Sequence, residues 1–338
     1  MSHDDAAAGD PVGRGQMPAV LDPSGATHTE ARAVNGQSPL THAAAGLTTA
    51  APILSEAVPA GPARYRGAFR RMLGSELRMM FRRRRNLALL VGLAGLPILI
   101  GVAVKASAPR GGGDGGPAFL LNITGNGLFL VFTTLVVSMP LFLPLVIGVV
   151  AGDSIAGEAG AGTLRYLLTV PVGRTRLLAS KALALFIFTA TAVGVVAVVG
   201  MVTGWVLFGL HNLVLLSGDT VSLANGLLRT FGVALFVVLS LTGLLTLGLF
   251  ISTLTEVPIA AMAAIISVTI ASEVLDAVPQ VSGIHPALFT HHWLGFGELL
   301  RGSVDVGTLV GYTTLQLAYI AIFGSLAWAR FTTSDITS

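Results

Sequence analysis

Hydrophobic residues along this chain fall into six long runs, and most polar residues gather between the runs. Each run approaches the 20 or so apolar residues that an α-helix needs to cross a hydrocarbon core about 30 Å thick. The six runs cover residues 87–104, 128–151, 182–209, 230–252, 257–276 and 308–329. No run alternates with a period of two for long enough to predict a β-barrel. Because every backbone N–H group in lipid needs an internal partner, the pattern predicts six transmembrane helices.

An amphipathic helical pattern precedes the first apolar run. Over residues 63–86, apolar residues recur on one side of a helix with 3.6 residues per turn, and arginines occupy the other side. The apolar side carries Tyr65, Phe69, Met72, Leu73, Leu77, Met80 and Phe81, and it is interrupted by Arg66, Arg70 and Glu76. The pattern predicts an amphipathic helix on the membrane surface, with its arginines toward anionic headgroups. The alternative is that the arginines only fix the topology. A nucleic-acid-binding arm is not expected, because the helix leads directly into a span.

Composition agrees with a membrane protein. The chain is 53% hydrophobic and only 11% charged, whereas soluble domains are about a quarter charged. Its mean hydropathy of +0.79 indicates an integral membrane protein of the all-α class. There is no cysteine, and 18 of the 20 basic residues are arginine, which favours a GC-rich bacterial genome and therefore a bacterial plasma membrane.

The first 62 residues differ from the rest of the chain. They are rich in Ala, Gly, Pro and Ser and show no sustained apolar period. This composition predicts a disordered tail. No apolar h-region follows the acidic start, so the tail is not expected to be a signal peptide.

The distribution of basic residues predicts the orientation of the six helices. If the N-terminus lies inside, sixteen of the 20 basic residues fall in cytoplasmic segments and four fall in outside loops. Cytoplasmic loops carry the excess of Lys and Arg. Both termini are therefore expected to be cytoplasmic, and so is the loop over residues 152–181.

The loop over residues 152–181 contains acidic residues, glycines and a short helical pattern in a fixed order. Asp153 and Glu158 come first, and glycines follow them. Thr163 is a candidate helix N-cap, and three leucines on one face follow it within one and a half turns. Pro171 then ends the short helix, and basic residues lead into the third span. We expect a short amphipathic helix along the membrane, whose leucine face needs lipid or another protein as a partner.

The loop resembles the hallmark of type-2 permeases of ATP-binding-cassette transporters. The matching positions are Asp153, Glu158, Gly162, Thr163, Leu167, Leu168, Pro171, Arg174 and Lys181. The six spans, the preceding surface helix and the ending "WARFTTSDITS" are similar too. The resemblance covers roughly residues 65 to 338, and the long N-terminal tail departs from the pattern.

The resemblance implies a permease subunit, whose usual direction of transport is export. Two such subunits, identical or paralogous, form the pathway. The loop helix docks on a separate ATPase subunit, and the helix over residues 63–86 corresponds to the family's elbow helix. On this chain, residues 162–171 would dock, Glu158 would lie at the entrance, and Arg165, Arg174 and Arg176 would pair with acidic groups of the ATPase.

Other kinds of site are not expected. No G-x-x-x-x-G-K-[ST] pattern is present, so ATP hydrolysis is assigned to a partner chain and no cofactor is expected. His285, His291, His292 and Glu298 match no H-E-x-x-H spacing, so no metal site is expected there. That stretch is instead predicted to form short interfacial helices, with Trp293 at headgroup depth.

Charges within the spans are scarce, which disfavours an ion-coupled carrier. Glu273, near the outer end of the fifth span, is the candidate for lining a pathway. The alternative to a transporter is a membrane anchor or assembly protein, in which the basic loop and the arginine-rich helix serve only to bind lipid.

Overall fold

The computed structural model describes residues 67–107, 125–162, 173–215 and 217–333, all within one compact unit that spans Pro59–Ser338. Eight α-helices lie in these ranges. They are α1 (Ala68–Arg82), α2 (Arg84–Ser107), α3 (Leu128–Ser138), α4 (Phe142–Gly160), α5 (Arg174–Phe208), α6 (Leu223–Ser252), α7 (Pro258–Asp276) and α8 (Val306–Thr333). Two 3₁₀ segments, Pro279–Ala287 and Gly295–Leu300, connect α7 to α8.

Six of the described helices are long and apolar enough to cross a bilayer, namely α2, α4, α5, α6, α7 and α8. The prediction of an all-α membrane protein with six apolar helices is therefore confirmed. The described strands are a single hairpin of two residues each, in which Leu213 pairs with Val221 and Val214 pairs with Thr220. Helix α5 has 35 residues, which corresponds to roughly 52 Å and exceeds a hydrocarbon core of about 30 Å.

The predicted second span, residues 128–151, is divided in the structure. Helix α3 ends at Ser138 after 11 residues, and α4 begins at Phe142. Pro140 lies in the break, where it cannot donate a backbone hydrogen bond to continue the first helix. Helix α4 alone is the membrane-length segment, and it continues nine residues beyond the predicted end.

The core surrounds α6, which contacts α3, α4, α5, α7 and α8. Leu241 and Leu244 on α6 are fully buried there. Close approach of backbones also holds the bundle together. A Cβ atom at Gly127 would lie 2.3 Å from the carbonyl carbon of Gly204 on α5, so only glycine fits at this crossing.

The aromatic residues between α7 and α8 differ from the prediction of an interfacial segment. Trp293 and Phe296 are 1% and 2% exposed, so they belong to the core and do not face headgroups. The Trp293 ring packs on Phe289, with their centroids 5.6 Å apart. Both aromatic side chains remove a large apolar surface from water when they pack against neighbouring residues, and this stabilises their buried position.

The surface of α8 is the most open of the six long helices. Only 6% of its most apolar stretch is buried inside the chain. Val310, Leu317 and Ile322 are about half exposed. Such a face suits lipid or another membrane chain.

Candidate functional site

Lys181 lies in the second turn of α5 and is almost completely buried, with 2% of its surface exposed. Its Nζ atom donates to Glu158 Oε1 on α4 at 2.6 Å. It also lies 3.3 Å from both carboxylate oxygens of Glu76 on α1. We call these three residues the lysine cluster. One ammonium group therefore joins three helices that are far apart in sequence.

The burial of these charges makes their pairing necessary. Glu76 and Glu158 are 8% and 6% exposed, so little water reaches any of the three charged groups. An isolated ion in such a place costs several kcal/mol, whereas a charge with close partners regains most of that cost. Lys181 occupies the space between the two carboxylates that a metal ion would need. The arrangement is consequently an ion-paired joint and not a metal centre.

Asp153, one and a half turns before Glu158, connects α4 to the junction of α1 and α2. Its Oδ2 atom accepts hydrogen bonds from Arg85 at 2.7 Å and from Arg83. Arg83 has an extended backbone conformation at the break between α1 and α2. The side chains of Arg83 and Arg85 are about half exposed, so water screens their ion pairs with Asp153 more than it screens the lysine cluster. Helix α1 is thus held at Glu76 and again at its end.

A small cleft of about 30 Å³ lies between these groups. It is lined by Glu76, Arg83, Asn86, Asp153, Glu158 and Lys181, together with apolar neighbours. Asn86 donates to the carbonyl oxygen of Met80 at 2.9 Å. Its own Oδ1 atom has no hydrogen-bond partner among the residues that the structure describes. The cleft has the volume and the polar lining that a water molecule needs.

The end of α4 is fixed by its neighbours. Ser252 Oγ on α6 donates to the carbonyl oxygen of Gly152 at 2.9 Å and accepts from the N–H groups of Ile155 and Ala156. A Cβ atom at Gly160 would lie 2.6 Å from the carbonyl oxygen of Glu256. The last turn of α4 therefore packs directly against the chain that enters α7.

The predicted loop over residues 152–181 is shorter in the structure. Helix α4 continues to Gly160, and α5 begins at Arg174. Glycines within α4 allow close packing and do not end the helix. Gly162 follows with φ of +67°, a conformation that favours glycine and turns the chain out of the helix. We call residues 163–172, which lie outside the described residues, the coupling segment.

The far end of the coupling segment is also anchored. Arg174 Nη1 donates to the carbonyl oxygen of Thr332 at 2.9 Å. Trp328 Nε1 donates to Thr175 Oγ1 at 3.1 Å. The last turns of α8 thus contact the first turn of α5, and this contact involves part of the chain ending that the resemblance singled out.

The structure brings together some of the residues predicted for the site. Glu158 and Lys181 form an ion pair, and Asp153 lies beside the same cleft. Gly162 and Arg174 border the coupling segment. The remaining predicted residues, Thr163, Arg165, Leu167, Leu168 and Pro171, lie outside the described residues.

Glu273 is separate from this group. It is partly buried in the last turn of α7, whose 19 residues rise about 28 Å from the end that packs against Gly160. It therefore lies toward the opposite end of the bundle from the lysine cluster.

Sequence reasoning missed three members of the site, Glu76, Arg83 and Arg85. Glu76 did give a signal, because it is the only acidic residue between residues 64 and 85 and interrupts an apolar face. A carboxylate in that position needs a buried cation. The sequence offers two lysines, Lys105 and Lys181, but it does not indicate which helix packs against α1.

Comparison with known proteins gives one family. Residues 98–337, more than two thirds of the chain, match the model of a family described as "Protein of unknown function (DUF2705)". The match covers α3 to α8 and the last ten residues of α2, with Glu158 and Lys181 among its residues. No curated protein matches the chain.

Proposed function

We propose a transport role for this chain, which belongs to the DUF2705 family of proteins of unknown function. It is the permease subunit of an ATP-binding-cassette exporter of the bacterial plasma membrane, and a separate chain hydrolyses ATP. Both termini lie in the cytoplasm. Helix α1 lies on the membrane surface as an elbow helix, and the coupling segment docks on the ATPase.

The observation that carries this proposal is the position of Lys181 between Glu158 and Glu76. Helix α4 ends less than one turn after Glu158, and α5 begins about two turns before Lys181. The coupling segment therefore connects the two helices close to both charged residues. Any displacement of the segment therefore acts on two helices that are ion-paired to each other and to α1. This is the connection that a transmitter of motion requires, because a packed and paired joint moves as one body.

The surface of α1 supports its assignment as an elbow helix. Arg71, Arg78 and Arg82 are exposed, whereas Met72 and Met80 pack against the core. The exposed arginines suit anionic headgroups, and the buried Glu76 fixes the helix to the bundle. Lipid contact and attachment to the permease thus use different sides of α1.

The substrate pathway is assigned to a pair of such subunits. The open apolar face of α8 is available to lipid or to a second permease chain. Glu273 is the proposed polar residue of the pathway. The identity of the cargo is left open, because a span region poor in charge is compatible with apolar drugs, lipids, peptides and polysaccharides.

Co-purification tests the docking step. The tagged chain is isolated in mild detergent from the membranes of its own source cells, and associated proteins are identified by mass spectrometry. We expect an ATPase with a Walker A motif to accompany the wild-type chain. Leu167→Asp places a charge in the leucine face and should reduce the recovered ATPase at least tenfold, whereas Leu167→Ile should retain it.

A parallel measurement excludes misfolding as the cause. Both variants should have the same thermal stability and the same yield as the wild type. If the wild-type chain yields no ATPase, or if Leu167→Asp retains it fully, the docking proposal is wrong. A chain that binds only lipid would then be better described as a membrane anchor or assembly protein.

A further inference from the structure

Three potential metal ligands meet at the end of the bundle opposite to the lysine cluster. Asp276 is the last residue of α7, His285 lies in the first 3₁₀ segment, and His291 follows that segment. One ligand atom from each side chain lies within 4.8 Å of the others. We call these residues the histidine cluster. All three are partly exposed, so an ion can reach them from solvent.

Two contacts define the geometry of the histidine cluster. His291 Nδ1 and Asp276 Oδ1 are 2.5 Å apart. The rings of His285 and His291 have centroids 5.8 Å apart. The cluster therefore offers two imidazoles and one carboxylate within reach of a single ion.

The backbone that carries these ligands is anchored to the bundle. Ser272 on α7 and Thr290, the residue before His291, share a hydrogen bond of 2.7 Å. Gln316 on α8 donates to the carbonyl oxygen of Phe289 at 2.8 Å, and Tyr319 donates to that of Ala287 at 2.8 Å. Positions just before His291 and just after His285 are thus held by two different helices. A set of ligands on a fixed backbone loses little entropy when it binds an ion.

His285 has the supporting hydrogen bond that is common for metal-binding histidines. Its Nε2 atom lies 3.1 Å from the carbonyl oxygen of Val278. Since a carbonyl only accepts, Nε2 carries the proton and Nδ1 keeps its lone pair. Backbone carbonyls orient ligating imidazoles in this way and fix their tautomer.

We propose that Asp276, His285 and His291 bind a divalent transition-metal ion of the zinc type. Two imidazoles and a carboxylate suit Zn²⁺, and three protein ligands leave a fourth position for water. Ligands of a tetrahedral Zn²⁺ site lie about 2.0–2.2 Å from the ion and therefore about 3.4 Å from each other. The ion would replace the proton between His291 and Asp276, widen that contact by about 1 Å and draw the third ligand inward. Side-chain rotation supplies movements of this size.

The proposal does not depend on the transport role, because it concerns a different end of the chain. It also assigns a role to residues whose spacing matches no sequence motif for zinc. His292 is adjacent to His291 but lies outside the ligand set. Its ring stacks on Tyr312, with centroids 4.0 Å apart. His292 is therefore a matched control for the same residue type in the same segment.

Zinc titration of the full chain tests the proposal. The protein is purified in detergent with a tag that contains no histidine, and metal is removed with a chelator. Zn²⁺ is then titrated in competition with a chromogenic chelator. We expect one Zn²⁺ per chain with a Kd below about 1 μM, and Co²⁺ in its place should give visible absorption bands of tetrahedral coordination.

Variants separate the site from general surface binding. His291→Ala, His285→Ala and Asp276→Asn should each weaken Zn²⁺ binding at least tenfold, as loss of a ligand requires. His292→Ala should leave the Kd within twofold of the wild type. Metal-free thermal stability identifies any variant that fails to fold, and His285→Ala is used in place of His291→Ala if the latter does. The proposal is overturned if the wild type binds no stoichiometric Zn²⁺, or if His292→Ala weakens binding as much as His291→Ala.

Discussion

The lysine cluster and the histidine cluster lie at opposite ends of the same helices and differ in two respects. The lysine cluster is buried and joins residues as many as 105 positions apart in the sequence. The histidine cluster is partly exposed, and its three residues lie within one connection between two helices. The first has charges that must be paired for the fold to form. The second has ligands that the fold holds in place whether or not an ion binds. Similar polar side chains thus serve structure at one end and remain available for binding at the other.

The strongest way to break this contrast is to remove the buried cation. Lys181→Met takes the cation away from the buried Glu76 carboxylate and leaves it beside a second carboxylate, Glu158, and we expect it to lower the free energy of unfolding by about 3–5 kcal/mol. Lys105→Met is the control, because this exposed lysine donates, among the described residues, to the carbonyl oxygen of Leu207 at 3.2 Å and forms no ion pair there. Lys105→Met should lower the free energy of unfolding by less than about 1 kcal/mol. Unfolding in mixed micelles of increasing SDS content measures both, and equal losses would contradict the contrast.

A smaller effect distinguishes the two carboxylates of the lysine cluster. Glu158→Gln replaces the carboxylate 2.6 Å from Lys181 by a neutral amide and should lower the free energy of unfolding by about 1.5–3 kcal/mol. Glu76→Gln does the same at contacts of 3.3 Å and should lower it by about 1 kcal/mol. In either variant Lys181 keeps the other carboxylate as a partner. Neither variant should therefore lose as much stability as Lys181→Met. The same SDS titration measures these variants.

Combined variants make this test more specific, because the stability effects of substitutions within one network do not add. In the Lys181→Met background, Glu76→Gln should restore stability, because it removes an unpaired charge. If Glu76→Gln destabilises that background as well, the two carboxylates do not share the lysine as the distances indicate.

The smallest effect is expected where a charge is fully exposed. Asp305 precedes α8 and accepts hydrogen bonds from the N–H group of Thr308 at 3.2 Å and from its hydroxyl group at 2.6 Å. These bonds hold the pKa of the Asp305 carboxyl below its usual value of 3.8. Because the folded pKa is lower than the unfolded one, the stabilisation is present above the unfolded pKa. It is lost as the pH falls through the folded pKa.

Asp305→Ala should therefore lower the melting temperature slightly at pH 7, and the difference from the wild type should narrow below a pH of about 4. Asp305→Asn is the control, because asparagine also caps helices at this position. Thermal melts across this pH range measure the effect. A difference that widens toward low pH would show that the carboxylate does not act as a cap.

The apolar helices could be predicted from the sequence because length and hydropathy determine them locally. Asp153, Glu158 and Lys181 could be named from the sequence, but the sequence assigned them to the loop over residues 152–181, whereas the structure places them in α4 and α5. Glu76 could only be noted as an interruption, since its partner comes from a helix 105 residues away. Long-range packing of this kind leaves no periodic signal.

Other features were missed for different physical reasons. Pro140 divides a run that was predicted as one span, because whether proline bends a helix or ends it depends on the surrounding helices. Trp293 was assigned to the headgroup region because aromatic residues are enriched there, yet its neighbours bury it. The histidine cluster has ligand spacings that resemble no motif, because a 3₁₀ segment and a turn bring its members together.

The sequence separation within the lysine cluster has a consequence for biosynthesis. Glu76 leaves the ribosome first, Glu158 follows, and Lys181 is made last of the three. Until α5 is made, Glu76 has no lysine to neutralise it, and α4 is held to the junction of α1 and α2 through Asp153 and its arginines. The arrival of one side chain then ties α1, α4 and α5 together. A chain interrupted before that step would expose the Glu76 carboxylate without its cation, and this would distinguish an incomplete product from a finished one.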